Sequence, residues 1–315
     1  MTRREAFAAY GALVAVCFFW GTTYLAIRVG LETLPPLLFA GLRFLSAGTL
    51  LFLFVRFIQH ARLPKGSEWV DQIVVGLMLL GIGNGMVVFA EQWVPSGPAA
   101  LLVATSPFWV VGLERILPSG ERASLRALIG LLLGFVGLVL LVAPHLSGTN
   151  LSGYYLLGAA AIQFGCLSWS GGSVYSKHHS SNISPFMAAS VQMLIAGTAL
   201  TLVGTVLGEW RTLHFSGRSF SAFAYLIVFG SIVAFGSYTY VIQKLPLTIV
   251  SMYSYINPVI AVLLGWLVLS ETVGLRVIIA MTIILVAVAL VKTAPKRLGN
   301  KQITDPGVVE PCQQA

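Results

Sequence analysis

Arg43 lies inside an apolar run from Pro36 to Phe57, a setting in which a guanidinium has to be accounted for. Even on insertion-based scales a central Arg costs about 2.5–3.5 kcal/mol in a bilayer, so it must face the protein interior and find a partner. One reading gives it the carboxylate of a bound solute. The other makes it structural, through an ion pair with Glu91 or a link to Asn84, which sits near the middle of its own apolar run at a similar depth. Around these two, Trp20, Thr23 and Tyr24 share a helical face by their spacing of three and four, as do Ser231, Phe235 and Tyr238, and Tyr253 with Asn257. With Trp109 and Trp169 they could wall a cavity of aromatic and amide character, suited to an amphipathic metabolite rather than a bare ion. Ordinary packing, or a belt at the membrane interface, is the competing account of each aromatic taken singly.

Pro107 and Pro258 should break their helices near the middle, because proline lacks a donor and clashes with the preceding turn. Ser106 and Asn257 stand beside them and could bond either the freed carbonyls or a solute. Glu91 and Glu114 could carry a coupling proton, each near a helix end where water could reach it. Glu121 and Glu271 fall at helix starts, where a carboxylate meets N-terminal amides favourably, so capping is their expected role.

Enzyme chemistry finds little support. The chain has no H-E-x-x-H, no G-x-S-G and no pair of intramembrane aspartates, and the adjacent His178 and His179 cannot bind one metal from one helical face. Gly81–Gly85 imitates a phosphate loop but lacks the strand, the lysine and the aqueous setting. Cys17 and Cys166 fall in apolar runs and Cys312 in a polar tail, which gives no disulfide framework. No cofactor and no metal are expected, and without a nucleotide motif the energy source is an ion gradient or the solute gradient itself. A membrane sensor or an intramembrane enzyme remains as the alternative class.

The elements that must position these residues are transmembrane helices. Of 315 residues, 57% are apolar and 10% charged, too little polar surface to cover a soluble core. Each crossing needs roughly 20 apolar residues. Ten such runs follow one another: 7–27, 36–57, 73–92, 98–117, 125–143, 154–176, 184–208, 219–242, 247–269 and 274–291. A net charge of +8 would suggest nucleic acid in a soluble protein; here it reports orientation. With the N-terminus inside, fourteen Lys and Arg fall in cytoplasmic segments against four outside, which favours both termini in the cytoplasm and excludes a nucleic-acid partner.

The chain also matches itself. At an offset of 149, Cys17 meets Cys166, Trp20 meets Trp169, Arg28 meets Lys177, Pro36 meets Pro185 and Arg43 meets Gln192. At 151, Gly85 meets Gly236, Gln92 meets Gln243, and Ser106-Pro107 meets Asn257-Pro258. A unit of five spans, repeated, must enter the membrane from the opposite side the second time, so the halves 7–143 and 154–292 form an inverted pair, followed by a disordered cytoplasmic tail at 293–315. Inverted halves that exchange conformations around a midplane site are a recurring transporter device. Gly130, Gly134 and Gly137 make a small-residue face for close packing, inside the chain or at the seam of a homodimer.

Trp20-Gly21-Thr22-Thr23-Tyr24, the Pro35-Pro36 entry ahead of Arg43, Gly83-Asn84-Gly85, Val94-Pro95-Ser96-Gly97 and Tyr255-Ile256-Asn257-Pro258 with Glu271 downstream resemble EamA-domain transporters of the drug/metabolite transporter superfamily. Ser270 stands before Glu271 where the family usually has Gly; Gly120 before Glu121 fits. The resemblance implies an all-α membrane protein of ten helices in two inverted five-helix repeats. It implies a central cavity lined by spans one, three, four, six, eight and nine, and export of amino acids, other metabolites or toxic compounds across a bacterial inner membrane. The expected partners are a small-molecule substrate and the lipid bilayer.

Overall fold

The structure is a computed structural model that describes residues 2–94, 96–117, 123–146, 153–179, 183–260 and 274–294. Glu121, Glu271, the far end of the ninth run and the tail from residue 295 lie outside the described residues. The described residues form helices and no strand. In chain order they are α1 Arg3–Gly30, α2 Pro36–Ile58, α3 Glu68–Ala90, α4 Pro98–Ile116, α5 Leu125–Leu146, α6 Gly153–His178, α7 Pro185–Val206, α8 Gly217–Lys244, α9 Leu247–Ile260 and α10 Leu275–Lys292. By length and composition seven of them can cross a bilayer: α1, α2, α3, α4, α7, α8 and α10. The apolar stretches Leu125–Leu140 and Leu247–Ile260 are shorter, and α6 is long enough but less apolar, with Gly, Ser and Gln along its length. The protein is thus an all-helical membrane protein, and length and composition alone do not fix ten crossings.

Local chemistry sets the helix ends. Thr2 and Glu5 form a reciprocal capping box on α1, and Ser216 with Ser219 does the same for α8. Pro36 and Pro185 open α2 and α7 at the first helical position, where a missing N–H costs nothing. Glu209, from the link after α7, accepts from the first amides of α2, Leu37 N at 3.4 Å and Leu38 N at 2.7 Å. Two C-termini are closed by matched residues: Arg28 Nη1 donates to the Glu91 carbonyl at 2.8 Å, and Lys177 Nζ to the Leu245 carbonyl at 3.0 Å. These bonds give the paired basic positions a physical task, capping the ends of α3 and α8.

The broadest packing joins α2 to α7 and α5 to α10, each a helix and its repeat counterpart. Glycine permits both approaches. A Cβ on Gly41 would strike the α7 backbone and one on Gly197 the α2 backbone, while Gly130, Gly134 and Gly137 lie against Val291, Tyr255, Ala287, Ile283 and Ile284. The small-residue face of α5 is therefore spent inside the chain, against α9 and α10, and is not open as a dimer seam.

A feature with no residue signature appears in the third helix of each half. Residues Leu77–Asn84 of α3 and Leu226–Val233 of α8 are π-helical, a winding that loosens the ladder and recurs at functional sites. The first helix of the opposite half reaches into each. Trp20 Nε1 of α1 donates to the Gly230 carbonyl at 3.1 Å, and Ser168 Oγ of α6 donates to the Met78 carbonyl at 2.8 Å.

Candidate functional site

Where the halves meet, α1, α2, α3, α4, α6, α8 and α9 enclose a cavity of about 80 Å³, several times the ~10–15 Å³ that one water needs. Nine of the twelve residues expected at a solute site line it: Trp20, Thr23, Tyr24, Arg43, Asn84, Ser106, Trp169, Tyr253 and Asn257. Trp20 and Trp169, matched in the repeat, meet edge to face with centroids 5.4 Å apart, and Tyr253 stands against Trp20 at 4.9 Å. Edge-to-face contact brings positive ring edges to negative faces and holds the rings rigid.

Arg43 is 3% exposed. Its Nε donates to Ser231 Oγ at 2.9 Å, and its guanidinium lies 4.5 Å from the Phe44 ring centroid. Nη1 has no partner, nor does the Asn84 carbonyl oxygen, although both atoms are buried. Among the described residues Arg43 makes no ion pair with Glu91 and no hydrogen bond to Asn84. Neither direct contact is formed, although the charges of Arg43 and Glu91 act on each other. A buried donor and a buried acceptor, unsatisfied and lining one cavity, are an arrangement that a polar ligand completes.

Three expected residues stand elsewhere. Ser231 is fully buried behind Arg43 and orients it. Tyr238 backs Trp169, accepting from its Nε1 at 2.9 Å, and exchanges a hydrogen bond with Ser173 Oγ at 2.6 Å. Trp109 is 37% exposed and donates to Gln163 Oε1 at 3.2 Å, so it faces away from the cavity; Val110 takes the buried face of α4 instead.

The expected breaks divide. In α4 the ladder is interrupted at residues 104–105, directly before Pro107. The carbonyl that proline frees, that of Val103, is taken by Ser106 Oγ at 2.6 Å. In α9 the interruption falls at 251–252, and Pro258 sits inside the helical run 253–260. Hydroxyls move it there: Ser251 Oγ bonds the Thr248 carbonyl at 3.1 Å and Ser254 Oγ the Ser251 carbonyl at 2.9 Å, competing with the backbone ladder. With its amide turned to satisfy its surroundings, Asn257 donates to the carbonyls of Cys17 at 2.9 Å and Tyr253 at 2.8 Å.

Both carboxylates expected near water are in fact buried. Glu114 is 2% exposed, with His178 Nε2 3.3 Å from each of its oxygens. Glu91 is 0% exposed, and neither carboxylate oxygen has a partner. The sequence reading missed Cys166, Gly165, Gly83, Gly230 and Phe44 among the lining residues. Cys166 had a usable signal in its spacing of three from Trp169, whereas Gly83 and Gly230 had none, because they lie in the π-helical stretches.

This seven-helix enclosure matches known proteins along almost its whole length. The model of the EamA-like transporter family matches residues 7–143 and again 156–293. The chain belongs to that family. It is 38% identical over 307 residues to the inner membrane transporter YedA of Escherichia coli K12, covering 97% of each chain. It is also 27% identical over 284 residues to the transporter YoaV of Bacillus subtilis, covering 86% of this chain and 92% of that one. A solved crystal structure of 22% identity superimposes with a TM-score of 0.75, covering 92% of this chain and 96% of the other, and supports the fold alone. Family and relatives make the chain a multi-pass inner membrane protein with a transporter role.

Proposed function

We propose that the chain is a secondary transporter that exports amino acids or other small amphipathic metabolites or drugs from the cytoplasm. Its two halves, residues 7–143 and 154–292, work as inverted five-helix repeats of a ten-span protein with both termini in the cytoplasm. Alternating access rocks them about the shared cavity. The observation that carries this reading is the unpartnered Arg43 Nη1 among Trp20, Trp169 and Tyr253. The guanidinium takes the solute's carboxylate, the Asn84 carbonyl takes a donor, and the rings take its apolar part. Charge-assisted bonds of this kind are about twice as strong as neutral ones, and a water-poor cavity strengthens them further. Helix interruptions in α4 and α9, together with the π-helical stretches of α3 and α8, support a reading in which these segments flex around the solute. Export follows the direction common in the family, and the excess of Lys and Arg in cytoplasmic segments supports the topology.

Counterflow in proteoliposomes tests the reading. Vesicles preloaded with a panel of unlabelled amino acids and amphipathic acids should take up the matching labelled solute faster than empty vesicles. If no member of the panel exchanges above the empty-vesicle rate, the transport assignment fails.

A further inference from the structure

Glu91 follows α3 directly and stands between two volumes. Phe89, Gln92 and Trp93 line a vestibule of about 590 Å³ shared with the α1–α2 link and the segment after α7. Val87, one turn earlier, lines the central cavity. The carboxyl itself is 0% exposed and both its oxygens are unpartnered. Arg28, from the neighbouring helix, spends its Nη1 on the backbone carbonyl of Glu91 and makes no hydrogen bond to the side chain.

An ionised carboxylate cannot stay in such a place without a partner, whereas the neutral acid can. The charges that bear on it are those of Arg28 in α1 and Arg43 in α2, and the neutral phenol of Tyr24 in α1 lies within reach of the carboxylate's own charge. From α6, Tyr155 packs on the adjoining Ala90–Val94 cluster. The scaffold does not require an acid here: Gln92 matches Gln243 in the repeat, so the counterpart of Glu91 is Ile242. Glu114 is different in kind, because His178 faces it.

We propose that Glu91 is a proton-binding site that locks the passage between the outer vestibule and the central cavity. With its proton bound, the carboxyl fits the fully buried position seen here. Loss of that proton leaves a carboxylate that must reach water, and the passage opens. The proposal rests on the alternating-access reading above, in which this vestibule is the outer one.

Two measurements on the full chain in lipid nanodiscs test it without any solute. Infrared difference spectra between neutral and alkaline pH should show a protonated-carboxyl stretch that disappears on raising the pH and is missing from Glu91→Gln. In protein carrying Cys17→Ser and Cys312→Ser, reconstituted in vesicles, an impermeant maleimide added outside should label the cavity-lining Cys166 faster as external pH rises. That rate is taken relative to an exposed reference thiol. In Glu91→Gln, which cannot ionise, the relative rate should stay low at every pH; Glu91→Ile, the residue of the second half, checks that the fold tolerates the change. A wild-type protein without the band, a band that survives Glu91→Gln, or labelling with the same pH profile in both proteins would each overturn the lock. Failure of the counterflow experiment overturns transport alone and leaves these two readouts standing.

Discussion

In the first half Arg43 enters the cavity with one nitrogen held by Ser231 and another unpartnered, while at the same place in the second half Gln192 donates to Gln72 Oε1 at 2.7 Å. Gln192 is 2% exposed and belongs to the packing between α7 and α3. Glu91 and Ile242 repeat the contrast. The halves share what builds the fold: Trp20 with Trp169, the capping Arg28 with Lys177, the opening Pro36 with Pro185, the π-helical third helices. They differ at Arg43 and Glu91, buried ionisable groups that both fall in the first half. The duplicate serves as an internal control, separating residues that the scaffold needs from residues it carries for another reason.

The strongest way to break the comparison is to give the second half the charge it lacks. Gln192→Arg buries a guanidinium where Gln72 offers only an amide, and should lower stability by about 3 kcal/mol, the cost of a central Arg. Thermal unfolding in nanodiscs would show it. A variant as stable as the wild type would mean that burial cost does not distinguish the two positions. The reverse change, Arg43→Gln, makes the first half a copy of the second. It should weaken exchange of carboxylate solutes roughly 10- to 100-fold, from the loss of about 1.5–3 kcal/mol in a charged hydrogen bond, while the melting temperature holds. Unchanged counterflow would return Arg43 to the scaffold.

A finer probe uses the tryptophans. Trp20→Phe and Trp169→Phe both keep a ring and lose an N–H. The first orphans the Gly230 carbonyl in the π-helical stretch of α8, whereas the second frees a Tyr238 hydroxyl that still has Ser173. Trp20→Phe should therefore cost about 1 kcal/mol more. Equal losses would show that the Gly230 contact does not stabilise the winding.

These contrasts also mark what the sequence could and could not reveal. Helical spacing brought Trp20, Thr23, Tyr24, Tyr253 and Asn257 together because they sit on regular turns, where a count of three or four is a direction in space. The self-match located Trp20 against Trp169 because repeats conserve register. Trp109 was misplaced because the interruption at 104–105 lies just upstream and its indole N–H found Gln163. The break in α9 was misplaced because serine hydroxyls outcompete the ladder earlier than Pro258 does. The π-helical stretches were invisible, since Leu77–Asn84 and Leu226–Val233 contain no residue that demands that winding. Burial of Glu91 was hidden for a related reason: nearness to a helix end says nothing about which neighbours close over it.

The smallest expected effect concerns the caps that the halves share. Lys177→Met removes the cation from the C-terminus of α8, where Lys177 Nζ meets the Leu245 carbonyl, and should cost about 0.3–1 kcal/mol, the range for a charge at a helix end. Hydrogen exchange should quicken in the last turn of α8 and leave the cavity unchanged. Arg28→Met removes the matching cap from α3, but that carbonyl belongs to Glu91, whose carboxyl is buried beside it. Its effect should spread further, into exchange around Val87 and Tyr24. If the two variants perturb only their own last turns, and equally, then Glu91 is no more coupled to its surroundings than Leu245, and the asymmetry between the halves rests on Arg43 alone.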